Sequence, residues 1–330
     1  MPGPTTLCLE HRHQSMTFLP RSAKVVITGA AGLVGQNMII RLKAAGHTNI
    51  VGIDRHPANT QTLARLNPDI DVIFADLARD GQWQNCLSDA AALIQMHAQI
   101  GGLKESEFVD NNIVSTQHVL AAAERAGVPY LVHASSSVVN SAAVDFYTES
   151  KKAQERLVAA CPILHVVLRP TLMFGWFDRK HLGWLARFMR RAPVFPIPGS
   201  GRYLRQPLYV RDFCDIVYAC LQQRITGTYN ISGQTKIQYI DLIRLLRDAI
   251  GARTPIVSIP YRMFEFLLAT YALLDPDPPF TLKQLRALVT PDEFEVIDWP
   301  HLFGVAATPL KEALRATFTD AKYSSITLEY

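Results

Sequence analysis

The stretch that most narrows the possible fold is KVVITGAAGLVG, residues 24–35. Lys24 to Thr28 is a short β-branched run of the kind that forms a buried strand. Glycines come next at positions 29, 32 and 35, and helical periodicity then runs from Leu33 to Ala45 and stops at Gly46, a good residue for leaving a helix. A strand, a glycine turn and a helix in that order can cradle a phosphate. Glycine permits the tight bend and a close backbone approach, and the helix N-terminus offers free N–H groups and a positive dipole end. Gly29, Gly32, Leu33, Val34 and Gly35 are therefore the candidate contacts to a dinucleotide. A plain structural turn would use the same glycines, so residues further along the chain must decide between the two.

Further strands are expected at 49–54, 71–77, 91–96, 130–136 and 164–170, separated by helical segments at 107–126 and 146–160. Alternation of this kind builds parallel βαβ units, and the near-continuous apolar strands suit a sheet covered on both faces. The fold class is α/β: a Rossmann-type doubly wound parallel sheet with a smaller C-terminal substrate-binding lobe. Residues 24–171 form the NAD-binding domain, with 206–235 returning to it through YNIS (229–232); 172–205 and 236–330 form the lobe, and 1–23 a loose tail in which Met16 could be the start. Capped helix starts are expected at Thr290–Pro291 and Thr308–Pro309.

Asp54 ends the second strand, 19 residues after Gly35, where a carboxylate can accept hydrogen bonds from the adenosine ribose hydroxyls. It would repel a 2′-phosphate, which favours NAD over NADP, although the neighbouring Arg55 could greet that phosphate. Asp76 and Leu77, after the third strand, are placed to meet the adenine. Ser135, Ser136 and Ser137 end the fifth strand, on the side where parallel sheets bind ligands. Tyr147 and Lys151 come after them, one helical turn apart and on one face. A free phenol is a poor base at neutral pH, but a nearby ammonium and a positive nicotinamide stabilise its phenolate, while a serine steadies the substrate oxygen. Taken alone, the Tyr/Lys pair is an ordinary solvated helix face; the upstream features in order reverse that reading.

These motifs resemble the extended short-chain dehydrogenase/reductases of the nucleotide-sugar epimerase/dehydratase kind: TGAAGLVG (28–35), ADL (75–77), NNIVSTQHVLAAA (111–123), SSSVV (135–139), YTESK (147–151), LRPTLMFG (168–175), LRQPLYVRD (204–212) and YNISG (229–233). The resemblance implies that Tyr147 is the acid/base and that Lys151 binds the nicotinamide ribose and tunes the tyrosine. It makes Ser136 the catalytic serine, with Ser137 as fallback, and has Asn112 support the lysine side. Arg205 would grip a sugar diphosphate in a bidentate way, with Arg202 as a second candidate. It implies a nucleotide-sugar substrate, NAD as cofactor and a homodimer through the helices near 107–126 and 147–160.

The sequence departs from that pattern in places. Only 10 residues separate Ser136 from Tyr147, Gln95 stands where histidine is common, Asn140 replaces a tyrosine and Leu172 an asparagine. Ser137-Val138-Val139 carries no carboxylate where dehydratases place an acidic pair, so dehydration is not expected. The expected reaction is 4-epimerisation through a transient keto-sugar. The alternatives are a 4-keto-sugar reductase or other alcohol dehydrogenase, and a cofactor-binding subunit or redox sensor without chemistry.

Composition sets the remaining bounds. A net charge of +4 without a basic block gives no nucleic-acid footprint. Cys8, Cys86, Cys161, Cys214 and Cys220 form no CxxC pair and read as reduced thiols of a cytoplasmic protein. His11 and His13 have no third ligand nearby, so no metal is expected. No apolar run reaches the roughly 20 residues of a membrane span. FEFLLATYALL (264–274) is expected to be a core or lobe helix, since it lacks the basic polar face of a membrane-surface one.

Overall fold

The computed structural model describes residues 19–141, 144–274, 285 and 295–329. The main strands are β1 (Lys24–Thr28), β2 (Ile50–Asp54), β3 (Asp71–Phe74), β4 (Ala90–Gln95), β5 (Tyr130–Ala134) and β6 (Leu164–Pro170). Short pieces come next as β7 (Met173–Phe174), β8 (Phe195–Pro198), β9 (Leu204–Arg205) and β10 (Leu208–Tyr209). Then come β11 (Gly227–Ile231), β12 (Ile237–Gln238) and β13 (Ile256–Ile259). Seven strands form one sheet in the order β11-β6-β5-β4-β1-β2-β3. Every neighbouring pair in it is parallel. The chain thus reverses direction across the sheet between β1 and β4, which opens a crevice at the carboxyl ends of those strands.

Strand periodicity divides the core. Val25 and Ile27 of β1, Ala92 and Ile94 of β4, and Tyr130 and Val132 of β5 face one layer. Val26, Leu93 and Leu131 face the other. The first layer is filled by α1 (Leu33–Ala44) and, later in the chain, α7 (Val210–Gln223). The second is filled by α4 (Ser115–Arg125) and α5 (Phe146–Ala160). Between β2 and β3 lies α2 (Pro57–Leu66), and α3 (Glu105–Phe108) precedes a π-helical turn, Val109–Val114, that leads into α4. Gly46 and Gly127, at φ +86° and +67°, end α1 and α4 in the left-handed conformation that suits a helix exit.

A separate core joins α6 (Leu182–Arg191), β8 and α8 (Tyr239–Ala249) with the helix Leu310–Thr319, through Leu182, Met189, Ile197, Ile243, Leu246 and Leu314. Two segments of the same C-terminal stretch return to the sheet's layers. Trp299 and Phe303 enter the core beside α7. Near the end, Glu329 and Asn59 of α2 exchange hydrogen bonds of 2.8 and 3.1 Å. Ahead of β1, Leu19 donates its N–H to Gln222 and packs on the core.

Two local expectations change. The apolar run ends a helix, α9 (Tyr261–Leu274), but Met263, Phe266 and Leu267 are exposed rather than core. Among the described side chains, Tyr261, Phe264 and Leu268 share one half-buried face at helical spacing, and Met263, Phe266 and Leu267 fall outside it. Thr308 does not cap its helix through the expected pattern: Pro309 occupies the cap position, and the Thr308 N–H and hydroxyl bind the Asp212 carboxylate at 3.0 and 2.6 Å. The expected start at Thr290–Pro291 and the tail residues Cys8, His11, His13 and Met16 lie outside the described residues.

Candidate active site

The glycine turn joins β1 to α1 against the end of β4. Gly29 has φ +71°, and a Cβ there would lie 2.6 Å from the His97 backbone nitrogen. A Cβ at Gly35 would lie 2.4 Å from the Gly29 carbonyl oxygen, so only glycine lets α1 start this close to the turn. Gly32 stands at the N-cap with no side-chain cap, and no acidic residue occupies the first turn. The first N–H groups of α1, on Leu33, Val34 and Gly35, have no acceptor within the helix and are available to an anion.

Asp54 sits at the next strand end. Its two carboxylate oxygens accept the Ala31 N–H at 2.9 Å and the His56 N–H at 3.0 Å. Each oxygen retains a further lone pair for a hydroxyl. Arg55 turns its guanidinium to Asn111 and, at 3.5 Å, to Gln99. A cavity of about 350 Å³ opens beside it, lined by Arg55, Asp76, Arg79, Gln99, Glu107 and Asn111 among others. Asp76 accepts the Ala78 N–H at 3.0 Å and remains exposed, whereas Leu77 is buried in the core. A glycine cradle, free helix N–H groups, a carboxylate and an adjacent cavity fit a dinucleotide in an extended pose.

Beneath the turn, Thr28 and Thr116 hold His97 between them at 2.8 and 3.3 Å. Gln95 and Gln154 both donate to the Thr116 hydroxyl at 2.8 Å. Thr116 thus joins His97, Gln95 and Gln154 in one buried network. Burial, helped by the Lys151 charge, holds His97 down to about 3, so the ring is neutral. Gln95, where a histidine is common in the resembling family, is thus a tether of this network.

The carboxyl end of β5 faces the start of α5. Asp145 caps α5 by accepting the Thr148 N–H at 2.9 Å, which fixes where Tyr147 falls. Burial pushes the Tyr147 phenol up, and the neighbouring Ser136 side chain acts in the opposite direction. Lys151 is fully buried and donates to the Ala134 carbonyl at 3.0 Å. Burial lowers its ammonium to about 7, with the Glu155 carboxylate acting in the opposite direction. Ser137 is buried within the short 3-10 turn after Ser136.

Asn112 lies inside the π-helical turn. Its side chain accepts the Gln99 N–H at 2.6 Å, donates to the Gln99 carbonyl at 3.1 Å and donates to the Ser150 hydroxyl at 2.8 Å. It therefore ties the loop after β4 to α5 beside Lys151. Single π turns often mark functional sites because they displace one side chain from the helical row.

Arg205 is on β9, with its guanidinium 5.1 Å from the Tyr203 ring and a hydrogen bond to the Leu204 carbonyl. The next residue, Gln206, accepts from Thr171 and donates to the Gly233 carbonyl, which places this segment across the carboxyl ends of β6 and β11. Arg202 lies in an exposed turn, its N–H 3.3 Å from the Ser200 hydroxyl. Ser136, Tyr147, Lys151 and Asn112 are thus brought to one end of the sheet, and Arg202 stands apart in the loop. Sequence reasoning missed Glu155, Arg169, His97 and Ser150. Only Glu155 carried a local signal, four residues beyond Lys151 and hence on the same helix face.

The model of the NAD dependent epimerase/dehydratase family matches residues 25–232. The chain belongs to this family of NAD-dependent enzymes. Among similar proteins, an Arabidopsis thaliana mitochondrial NADH dehydrogenase [ubiquinone] 1 alpha subcomplex subunit 9 is 22% identical over 279 residues, covering 80% of this chain and 69% of that one. The ceramide reductase of Caulobacter vibrioides is 24% identical over 241 residues, covering 72% and 73%. Among solved structures, a UDP-glucose 4-epimerase with UDP-glucose from Thermotoga maritima superposes with TM-score 0.70 at 16% identity, over 89% of this chain and 97% of that one. No helix among the described residues is long and apolar enough to cross a membrane.

Proposed function

We propose that the protein is an NAD-dependent epimerase of a nucleotide sugar, working through a transient 4-keto intermediate. The observation that carries this reading is the placement of Tyr147 and Lys151 one turn apart on α5 against the Ala134–Ser136 end of β5, with Lys151 fully buried and donating to the Ala134 carbonyl at 3.0 Å. The glycine cradle, the first N–H groups of α1 and Asp54 would hold NAD, which supplies a hydride acceptor and donor when bound. Ser136 holds the substrate oxygen. Tyr147 takes the hydroxyl proton as that oxygen becomes a carbonyl, and returns it to the same oxygen after the sugar has turned its other face. Lys151 and the cofactor's positive charge offset the burial that raises the phenol. Asn112 positions the catalytic helix. Arg205, backed by Arg202, is assigned to the diphosphate, supported by the course of its segment across two strand ends.

The test is incubation of the purified protein with UDP-glucose and a panel of related nucleotide sugars. A C4 isomer should form with no net change in reduced cofactor, and denatured protein should release NAD in stoichiometric amount. Net oxidation or reduction instead would identify a keto-sugar reductase or other alcohol dehydrogenase. One observation favours an alcohol dehydrogenase with a less polar substrate: Leu172, just past β6, and Val144 and Phe146, before the tyrosine, are exposed apolar residues. A Tyr147→Phe variant with undiminished activity would leave only a cofactor-binding role. A homodimer through α4 and α5 is part of the proposal, and light scattering showing monomer alone would remove it.

A further inference from the structure

Glu155 lies one helical turn beyond Lys151 on α5. It accepts the Ser135 hydroxyl proton on Oε1, and the Arg169 guanidinium grips both its oxygens at 2.9 and 2.6 Å. The pair is mostly shielded, with side-chain exposures of 24% and 15%, so it is a bidentate ion pair rather than a solvated one. Its three elements meet where the site is built. Ser135 separates Ala134, whose carbonyl receives Lys151, from Ser136, which stands beside Tyr147. Ser135 also donates its N–H to the Leu168 carbonyl at 2.7 Å, so β5 and β6 are registered at this point. From Arg169 the network continues to Asn140, then Asn230 of β11, then Glu295.

We propose that Glu155 is a positioning residue for the reaction: clamped between Ser135 and Arg169, it holds the Ala134–Ser136 end of β5 in register with Tyr147 and Lys151 on α5. The proposal rests on the assignment of Tyr147, Lys151 and Ser136 to proton transfer. A neutral hydrogen-bonding residue would satisfy Ser135 equally well, so the carboxylate has a second consequence. The groups facing Lys151 are His133 on β5, His97 after β4 and, on its own helix, Glu155 and the Tyr147 phenol. Burial holds both histidines neutral in the usual range, the first of them well below its ordinary value. Glu155 is therefore the anionic neighbour that offsets the cost of burying the lysine charge.

The direct test is the titration of the Lys151 Cε resonance in the full-length protein, assigned by loss of the signal in Lys151→Met. The wild-type midpoint is expected about pH 7. Glu155→Gln should lower it by about half a pH unit or more, with kcat on the active nucleotide sugar down about tenfold and retained NAD unchanged. Arg169→Gln leaves the carboxylate uncompensated and should move the midpoint upward. Opposite shifts from the two partners of one ion pair would not arise from a purely structural role. Folded Glu155→Gln with an unmoved midpoint would overturn the proposal, as would shifts of the same sign in both variants. If Glu155→Gln does not fold, the sign of the Arg169→Gln shift decides alone. A Tyr147→Phe variant run in parallel separates the two levels: activity there removes the catalytic assignment, whereas an inactive Tyr147→Phe beside an unshifted Glu155→Gln removes only the positioning role.

Discussion

In the parallel sheet, residues adjacent in sequence do adjacent jobs. Val25 and Ile27 fill one layer, Val26 the other, and the glycine turn comes immediately after. In the second lobe the core is assembled from distant pieces: Leu182 and Met189, Ile197, Leu246 and Leu314. The difference extends to the chemistry. The groups assigned to cofactor and proton transfer are held by hydrogen bonds and caps within the sheet half, whereas the lobe contributes Arg205 and Arg202 from a two-residue strand and an exposed turn. A rigid half bearing chemistry and a loosely specified half bearing selectivity is how one fold serves many substrates.

Substitutions in the two halves should behave differently. The largest effect is expected from Tyr147→Phe, which should lower kcat by about 10²–10⁴-fold while bound NAD remains, measured by turnover and by cofactor release on denaturation. Next is Gly35→Ala in the cradle. With the Gly29 carbonyl 2.4 Å from the added carbon, a loss of about 3 kcal/mol or more in stability and loss of retained NAD are expected in denaturant melts. Arg205→Ala in the lobe should raise KM about tenfold or more for a nucleotide sugar and leave kcat nearly unchanged. An equal fall in kcat would move Arg205 from substrate binding to transition-state binding.

Lys151 gives a pH-dependent case. Its folded midpoint, about 7, lies below the unfolded value of 10.5. The unfolded chain therefore binds more protons between these values, and stability rises with pH across that window. Lys151→Met should be more stable than wild type at pH 6, by on the order of a few kcal/mol, with the gap closing toward pH 10 in urea melts. The smallest effect is expected at Phe266→Gln on α9, where 69% exposure leaves little to lose: within about 0.5 kcal/mol by thermal melting.

Much of the sheet half was legible because its signals are local. The helix expected over 146–160 spans Phe146–Ala160, and the strand expected at 164–170 spans Leu164–Pro170. YNIS returned to the sheet as part of β11, beside β6. The third strand was overextended: Ala75 makes the last bond of the β2–β3 ladder, to the Asp54 carbonyl, and Asp76 then turns the chain by accepting the Ala78 and Arg79 N–H groups. At 264–274 the helix was legible but its exposure was not, since hydrophobicity does not say what a helix packs against. Asn112 was visible by resemblance, but its grip on Ser150 and Gln99 depends on a π turn that no periodicity reveals.

By its sequence alone, the chain already places the glycine turn directly after a strand, a carboxylate at the end of another and the Tyr–Lys pair on one helix face. Each follows from local backbone geometry and side-chain period. The sheet order, the burial of Lys151 against Ala134, the sharing of Glu155 by Ser135 and Arg169 and the bond between Glu329 and Asn59 came from the folded chain. Those are contacts between segments far apart in sequence, and burial and charge pairing acquire their energies only when packing has excluded water from between them.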